Sequence, residues 1–449
     1  MSSLQTSGVG AGEQVESPRF TRWKWGMLIV ASAVYSFYYL GRLNWGVAAP
    51  EMKAGLHLTD AELGLGAGLM FWGYAVGELI NGRLVDRFGS RRFVLIGGIG
   101  TTVMNWITSF GTSLPSLYIP YTLNGYVQAS AWIPCHRLVA QWWRGRTRGF
   151  ADGLFVASSG LSTLTTYVIT GWVAASFGWQ AAFRWPLLIV LVTTIGFFVL
   201  VRDRPQDAGL EPFVETLEHV RATEAAITDE DMKRWLRPYF LLLRRPVAWF
   251  ACSIGFIGYI GRYTLLTWVP LYYASTTGLS LSSVVWASLG VPLGMSFGPL
   301  VAGYLTDRFF ASQRWQTIAI FFLIGASGVL TIALVPITQI GLFPMFLIMV
   351  VTGFFSWGAT GPVFALTSDI GGRKLVGTAH GLVDFFDYTA AGLQGIVIGA
   401  VLTLTHENWR LVFLGLVVVL VLGAVAAWVT RSFGRRQPVS TGGAAPATV

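Results

Sequence analysis

The chain has 449 residues, 53% of them hydrophobic and 12% charged, with a formal net charge of +9, and its mean hydropathy is +0.58. A water-exposed surface needs about twice that charged share, so an ordinary soluble enzyme is excluded, and an aromatic content of 14% excludes intrinsic disorder. The two cysteines, Cys135 and Cys252, lie in apolar runs and point to neither a disulfide framework nor a metal site, while the first apolar run is too long for a secretory signal.

After a polar tail over residues 1–24, apolar runs follow at 25–48, 62–84, 92–112, 115–141, 149–175 and 180–201. A polar segment over 202–246 holds eight Lys/Arg and nine Asp/Glu and reads as a solvated linker. Six more runs follow, at 247–273, 281–305, 315–336, 341–368, 376–403 and 409–430, before a tail over 431–449. A bilayer-crossing helix needs about 20 apolar residues, and backbone groups in lipid must be satisfied within the segment. The expectation is therefore an all-α membrane protein of twelve helices, in two six-helix bundles over 25–201 and 247–430.

Lys and Arg concentrate on one set of loops: Arg83, Arg87, Arg91 and Arg92, then Arg144, Arg146 and Arg148, the linker, Arg308 and Arg314, and Arg373 with Lys374. Arg19, Arg22, Lys24, Arg431, Arg435 and Arg436 place both tails on the same side, and the opposite loops carry little more than Lys53 and Arg410. This bias places both termini in the cytoplasm of a plasma-membrane protein. It also accounts for the positive excess without nucleic acid.

The halves repeat one another. Arg42 pairs with Arg262, Gly82-Arg83-Leu84-Val85-Asp86-Arg87 with Gly303-Tyr304-Leu305-Thr306-Asp307-Arg308, Gly125 and Pro134 with Gly353 and Pro362, Gly149 and Gly153 with Gly377 and Gly381, and Trp179 and Phe183 with Trp409 and Phe413, all at a nearly constant offset. A parallel six-plus-six repeat is the layout of transporters whose halves are related by an axis along the membrane normal. The stretch Gly82-x-Leu84-x-Asp86-Arg87-x-Gly89-x-Arg91-Arg92 resembles the signature between the second and third helices of the major facilitator superfamily. Glycine permits close helix approach, and the Asp and Arg can make charge-assisted bonds between helix ends. Gly82, Asp86, Arg87, Gly303, Asp307 and Arg308 are thus expected to form a conformational latch; for Arg91 and Arg92 a topological role is equally good. Asp152 and His380 are candidate latch partners, with simple solvation the simpler reading.

Ionisable groups inside spans are functional candidates. Arg42 stands about 17 residues into span one, roughly 25 Å along a helix, and Arg262 takes the matching place in span seven. Guanidinium stays charged and offers a planar fork to phosphate or carboxylate. Tyr39 and Tyr259 each stand three residues before their arginine, on the same helix face. The pair is expected to face a central cavity and bind an anion, the bland counterpart being a structural bond to backbone or carboxylate.

Tyr39-Leu40-Gly41-Arg42-Leu43-Asn44, Gly258-Tyr259-Ile260-Gly261-Arg262-Tyr263, Trp132-Ile133-Pro134-Cys135 and Arg202-Asp203-Arg204-Pro205-Gln206-Asp207-Ala208-Gly209-Leu210 resemble the organophosphate:phosphate antiporters, which include glycerol-3-phosphate and hexose-phosphate transporters. The resemblance runs from about residue 25 to about residue 430. It implies that Arg42 and Arg262 grip the substrate's phosphate, and that Tyr35, Tyr39, Tyr259 and Tyr388 line the cavity. The departures carry information. Glu78 stands where the glycerol-phosphate branch has a lysine, Ser159 where it has a histidine, and Thr360 where a tyrosine is expected. Asp384 and Asp387 stand where small residues are usual.

An unpaired carboxylate in a low-dielectric site takes up a proton. Glu78, Asp384 and Asp387 therefore admit three roles: balancing the arginines in the empty site, carrying a coupling proton, or binding the cationic end of a zwitterionic substrate. Ion pairing with Arg42 and Arg262 is the structural counterpart. Pro134 is expected to kink span four, His136 and Arg137 to cap it, and Arg184 and Arg410 to anchor span ends at the interface. No phosphate-binding loop, metal-ligand spacing or catalytic triad is present, so no cofactor, metal or enzymatic activity is expected.

The expected function is a monomeric secondary transporter of a small organic anion, an organophosphate or phosphonate, exchanged for inorganic phosphate or taken up with a proton. Alternatives are a carboxylate:proton symporter and a transporter-like organophosphate sensor.

Overall fold

A computed structural model describes residues 17–143, 145–210, 234, 236–310, 314–335 and 337–434. Among these residues there are helices and turns and no strands. The first half comprises α1 (Pro18–Tyr38), α2 (Asn44–Leu56), α3 (Asp60–Phe88), α4 (Ser90–Thr108), α5 (Leu114–Gln128), α6 (Trp132–Trp142), α7 (Gly145–Phe177), α8 (Trp179–Ala182) and α9 (Trp185–Leu200). The second comprises α10 (Arg237–Leu243), α11 (Pro246–Thr277), α12 (Leu281–Ser288), α13 (Gly290–Phe309), α14 (Arg314–Leu334), α15 (Ile337–Ile340), α16 (Leu342–Gly358), α17 (Thr360–Leu404) and α18 (Trp409–Gly434). Eight helical stretches are long and apolar enough to cross a bilayer, or nine if α10 and α11, bent by 90°, count as one. Helices α4, α5 with α6, and α7 occupy the places expected for spans three to five.

α17 is not one straight rod. The rings of Phe364 and His380 stack 6.3 Å apart, whereas sixteen residues of straight helix separate two side chains by about 24 Å. The chain doubles back between them, so the first arm of α17 completes span ten, which α16 begins, and the second arm is span eleven.

Several expected boundaries move. Span one starts at Pro18, capped by the Ser17 hydroxyl that accepts from Phe20 N, so Arg19, Arg22 and Lys24 ride on helix α1 and not on a tail. Lys24 is buried, its ammonium over Trp143. In the linker, Arg237–Leu243 is helical, and α18 continues through Gly434. Residues 1–16, 211–233 and 435–449, which hold most of both tails and of the linker, lie outside the described residues, as does Arg144.

One continuous apolar core runs through both halves. The outer face is a belt of exposed apolar side chains, among them Trp172, Val192, Ile195, Val418 and Val425. Water penalises such a continuous belt and lipid accepts it. The sequence repeat reappears as packing. A Cβ on Gly125 of α5 would stand 1.9 Å from Met70 O of α3, and one on the equivalent Gly353 of α16 would stand 2.4 Å from Val291 O of α13. Only glycine permits either backbone approach.

Two ends of the bundle are distinguishable. At the far end α2 runs into α3, and Thr59 and Glu62 form a capping box that fixes the start of α3. There the halves are clamped together. Lys53 bridges Asp60 of its own half at 2.7 Å and Glu407 of the other, Ala61 N donates to Thr403 Oγ1 at 2.9 Å, and α3 lies against α17 so closely that a Cβ on Gly64 would meet Gly395 O at 2.2 Å. At the tail end, α3 turns into α4 through Gly89 at φ +77°. Asp203 packs on that turn and caps α4 by accepting from Arg91 N at 3.0 Å, while Asp207 accepts from Arg204 N at 3.0 Å. The polar stretch after span six is thus a structural seat for the first turn of α4.

Candidate functional site

Span one is broken where the sequence suggested a continuous helix. Tyr39–Gly41 form a short 3-10 turn, and Arg42 and Leu43 separate it from α2. The carbonyls released by the break need donors, because an unpaired buried carbonyl is expensive. They find them in a set of buried amides. Asn124 Nδ2 donates to Gly41 O at 2.7 Å, Gln128 Nε2 to Tyr38 O at 3.0 Å, and the Tyr121 hydroxyl to Arg42 O at 3.0 Å. Asn105 ties the set together, donating to Asn124 Oδ1 at 3.0 Å and accepting from Asn44 Nδ2 at 2.8 Å. Sequence reasoning passed over these residues; their only signal was amide side chains inside apolar spans.

The break aims Arg42 into the middle of the molecule. Its Nη1 donates to Tyr388 Oη at 3.1 Å and its Nη2 to Tyr74 Oη at 3.0 Å. The guanidinium also lies 4.4 Å from the ring centres of both Tyr39 and Tyr74, a cation–π distance. Arg262 sits in the unbroken α11. It donates through Nη2 to Tyr39 Oη at 3.1 Å and lies 4.0 Å over the Trp357 ring. The two arginines, one from each half, therefore meet across a single phenol. Each keeps a buried Nε without a partner.

Of the expected cavity residues, Tyr35 packs edge-on against Tyr39, and Tyr259 packs against Trp357 and Tyr388. Arg262 bonds Tyr39 of the opposite half rather than Tyr259. Tyr74 and Trp357 were missed, having no sequence signal apart from the other aromatics. Thr360 donates to Trp357 O at 2.6 Å and so anchors the end of α16. Among the described residues no open cavity adjoins Arg42: the space beside it measures about 10 Å³, enough for about one water. The molecule is closed around its arginines.

Glu78, Asp384 and Asp387 are all buried. None makes an ion pair with Arg42 or Arg262: the pairs of Lys53 with Asp60 and with Glu407 are the ones seen among the described residues. Both Glu78 oxygens, Asp384 Oδ2 and Asp387 Oδ1 are without hydrogen-bond partners. Direct ion pairing with the arginines, the structural counterpart considered from sequence, is therefore not the arrangement found. Asp387 Oδ1 lies 2.3 Å from where a Cβ on Gly255 of α11 would stand, so the bare backbone there makes its room.

The latch residues Gly82, Asp86 and Arg87 fall on α3 and Asp307 on α13, but their side chains lie outside the described residues, as does that of Asp152. Gly303 has open space beside it, and Arg308 is exposed. Arg91, for which a purely topological role was as good, lies over the Phe198 ring at 4.4 Å. Arg137 donates to Val85 O at 2.9 Å, tying α6 to α3. His380 stacks on Phe364. The break in span four falls at Ala129–Ala131, and Pro134 stands in the first turn of α6, where a missing N–H is harmless. Arg184 binds Ser109 at 2.7 Å and covers Phe110, a bond between span ends rather than simple anchoring.

A family model described as Major Facilitator Superfamily matches residues 31–395. Among curated proteins, the chain is 28% identical over 398 residues to the membrane sensor protein UhpC of Salmonella typhimurium, covering 86% of this chain and 87% of that one. It is 25% identical over 418 residues to the glycerol-3-phosphate transporter of Bacillus subtilis, covering 90% and 91%, and 28% identical over 400 residues to a probable hexose phosphate transport protein of Chlamydia trachomatis, covering 84% and 85%. Among solved structures, a bacterial homologue of the human lysosomal transporter Spinster, inward-facing and unoccupied, matches with TM-score 0.72 at 15% identity, covering 94% of this chain and all of that one. The D-xylose-proton symporter matches with TM-score 0.68 at 16% identity, covering 90% and 97%. These structural matches speak to the fold.

Proposed function

Because the chain belongs to the Major Facilitator Superfamily, a family of membrane transporters rather than enzymes, we propose that it is a secondary transporter of a small phosphorylated or phosphonate anion. One observation carries this reading. Two buried arginines from opposite halves are bonded to tyrosine hydroxyls, with no carboxylate of the described residues on either guanidinium. A buried cation without an anionic partner is costly, and an anion entering between the two would displace Tyr39 and accept forked bonds from both. Relatives named for glycerol-3-phosphate and hexose phosphate support phosphate as the anionic group.

Transport then proceeds by rocking of the bundles 25–201 and 247–430 about this site, in a monomer with both termini cytoplasmic, as the sidedness of Lys and Arg supports. Arg42, Arg262, Tyr35, Tyr39, Tyr259 and Tyr388 bind the substrate. Gly82, Asp86, Arg87, Gly303, Asp307 and Arg308 act as the latch between states. The anion shifts the conformational equilibrium only by binding one state better than the other.

The test is uptake into proteoliposomes loaded with inorganic phosphate, with and without a pH gradient. Exchange driven by internal phosphate, and inhibition by external phosphate but not by succinate, is expected. Inhibition by succinate alone would replace this reading with carboxylate symport. Similarity to a membrane sensor favours one second reading, an organophosphate receptor, which binds phosphate esters in the same assay without moving them.

A further inference from the structure

The charges of the central site are sorted into two layers. On α3, Tyr74 holds Arg42 and Glu78 follows four residues later, toward the tail end. On α17, Tyr388 holds Arg42 and Asp384 precedes it by four residues, again toward the tail end, because this arm runs toward Asp60 at the far end. Four residues of helix amount to about 6 Å. Asp387 shares the Asp384 face of α17 at i,i+3 spacing and looks onto Gly255 of α11, itself one turn tailward of Tyr259. Glu78 and Asp384 thus form an acidic layer about one helical turn tailward of the tyrosines that hold Arg42, Asp387 joins it from the same face of α17 one residue before Tyr388, and the Trp132 indole lies beside Asp384.

Neither layer neutralises the other by contact. The arginines keep unpartnered Nε atoms and the carboxylates keep unpartnered oxygens, all buried. The tyrosines and the helical rise hold the layers apart. A dianionic phosphate between the arginines balances their two charges and leaves the acidic layer to hold protons or to meet a cation. A ligand that satisfies both layers carries an anion at one end and a cation at the other, separated by a short aliphatic spacer.

We propose that the site takes a zwitterionic aminoalkyl phosphate or phosphonate, its anionic head on Arg42 and Arg262 and its ammonium on Glu78, Asp384 and Asp387. The inference rests on the anion-transport reading and narrows its substrate class.

Two probes of nearly equal shape decide it: phosphoethanolamine, and n-propyl phosphate, in which a methyl replaces the ammonium. Their affinities for the full-length protein in nanodiscs are measured by calorimetry. Phosphoethanolamine is expected to bind about tenfold tighter or more, the order of a charge-assisted bond. The preference should shrink toward unity in Asp384→Asn and Asp387→Asn variants that remain monodisperse. Equal affinities in the wild type overturn the inference and leave the anion reading standing. So does a preference that survives in Glu78→Gln, Asp384→Asn and Asp387→Asn alike, and so does an acid-stimulated uptake of propyl phosphate with no discrimination between the probes, which would make the acidic layer a proton carrier. Failure of both probes and of inorganic phosphate to bind overturns both readings. The wild-type comparison needs no variant to fold.

Discussion

Tyr39 stands between Arg42 and Arg262, with its ring under one guanidinium and its hydroxyl on the other. On the proposed function it holds the place that an anion would take, filling the space between the guanidinium groups without an opposing charge. Replacing Tyr39 by Phe removes the hydroxyl, leaves Arg262 Nη2 unpaired, and should lower thermal stability by about 1–3 kcal/mol. Asn124→Ala should cost a similar amount, because it strips the closer of two donors from Gly41 O at the break in span one, the other being Asn105 Nδ2 at 3.5 Å; a melting curve unchanged within error would mean that Asn105 or water replaces the amide. The arginines themselves were legible in the sequence because charge in an apolar run stands out. The carboxylates were legible for the same reason. The phenol between the arginines was expected beside one of them only, and Tyr74 and Trp357 were not singled out, since an aromatic in a membrane helix looks the same whether it faces lipid, core or site.

At the scale of elements, the far-end seam between α3 and α17 clamps the two halves together. Its backbones touch at Gly64 and Gly395, and Lys53 ties Asp60 to Glu407 across the halves. Gly395→Leu cannot keep this approach and should abolish transport while the protein still inserts, as judged by monodisperse gel filtration beside a null uptake. Lys53→Met leaves Asp60 and Glu407 facing one another unscreened. In an Ala67→Cys background, where the probe position is buried and the native Cys135 and Cys252 are buried too, Lys53→Met should raise the rate of maleimide labelling severalfold. An unchanged rate would mean that the glycine seam alone holds the far end. The all-helical membrane fold and the two-fold repeat were readable from hydropathy and spacing. The break at Tyr39–Leu43 was not, because no proline or glycine pair marks it; distant amides on α4 and α5 create it. The reversal within α17 kept its expected place, and the Phe364–His380 contact reveals it.

For the whole molecule, a surface of exposed apolar residues surrounds a centre that holds two arginines and three carboxylates out of contact with one another. With room for about one water beside Arg42, the proposed site would bind only after the halves part, and a ligand that fits both halves would draw the equilibrium toward its own closed form. The two-arginine model makes the anion the common ligand of both bundles, and its most direct measurement is counterflow of labelled inorganic phosphate in proteoliposomes for the wild type, Arg42→Lys and Arg262→Lys. Lysine keeps the charge but forfeits the fork. Each variant should therefore lose about ten- to a hundredfold in counterflow rate, the equivalent of one charge-assisted bond of about 1.5–3 kcal/mol, while inserting normally. Wild-type rates in either lysine variant would contradict it.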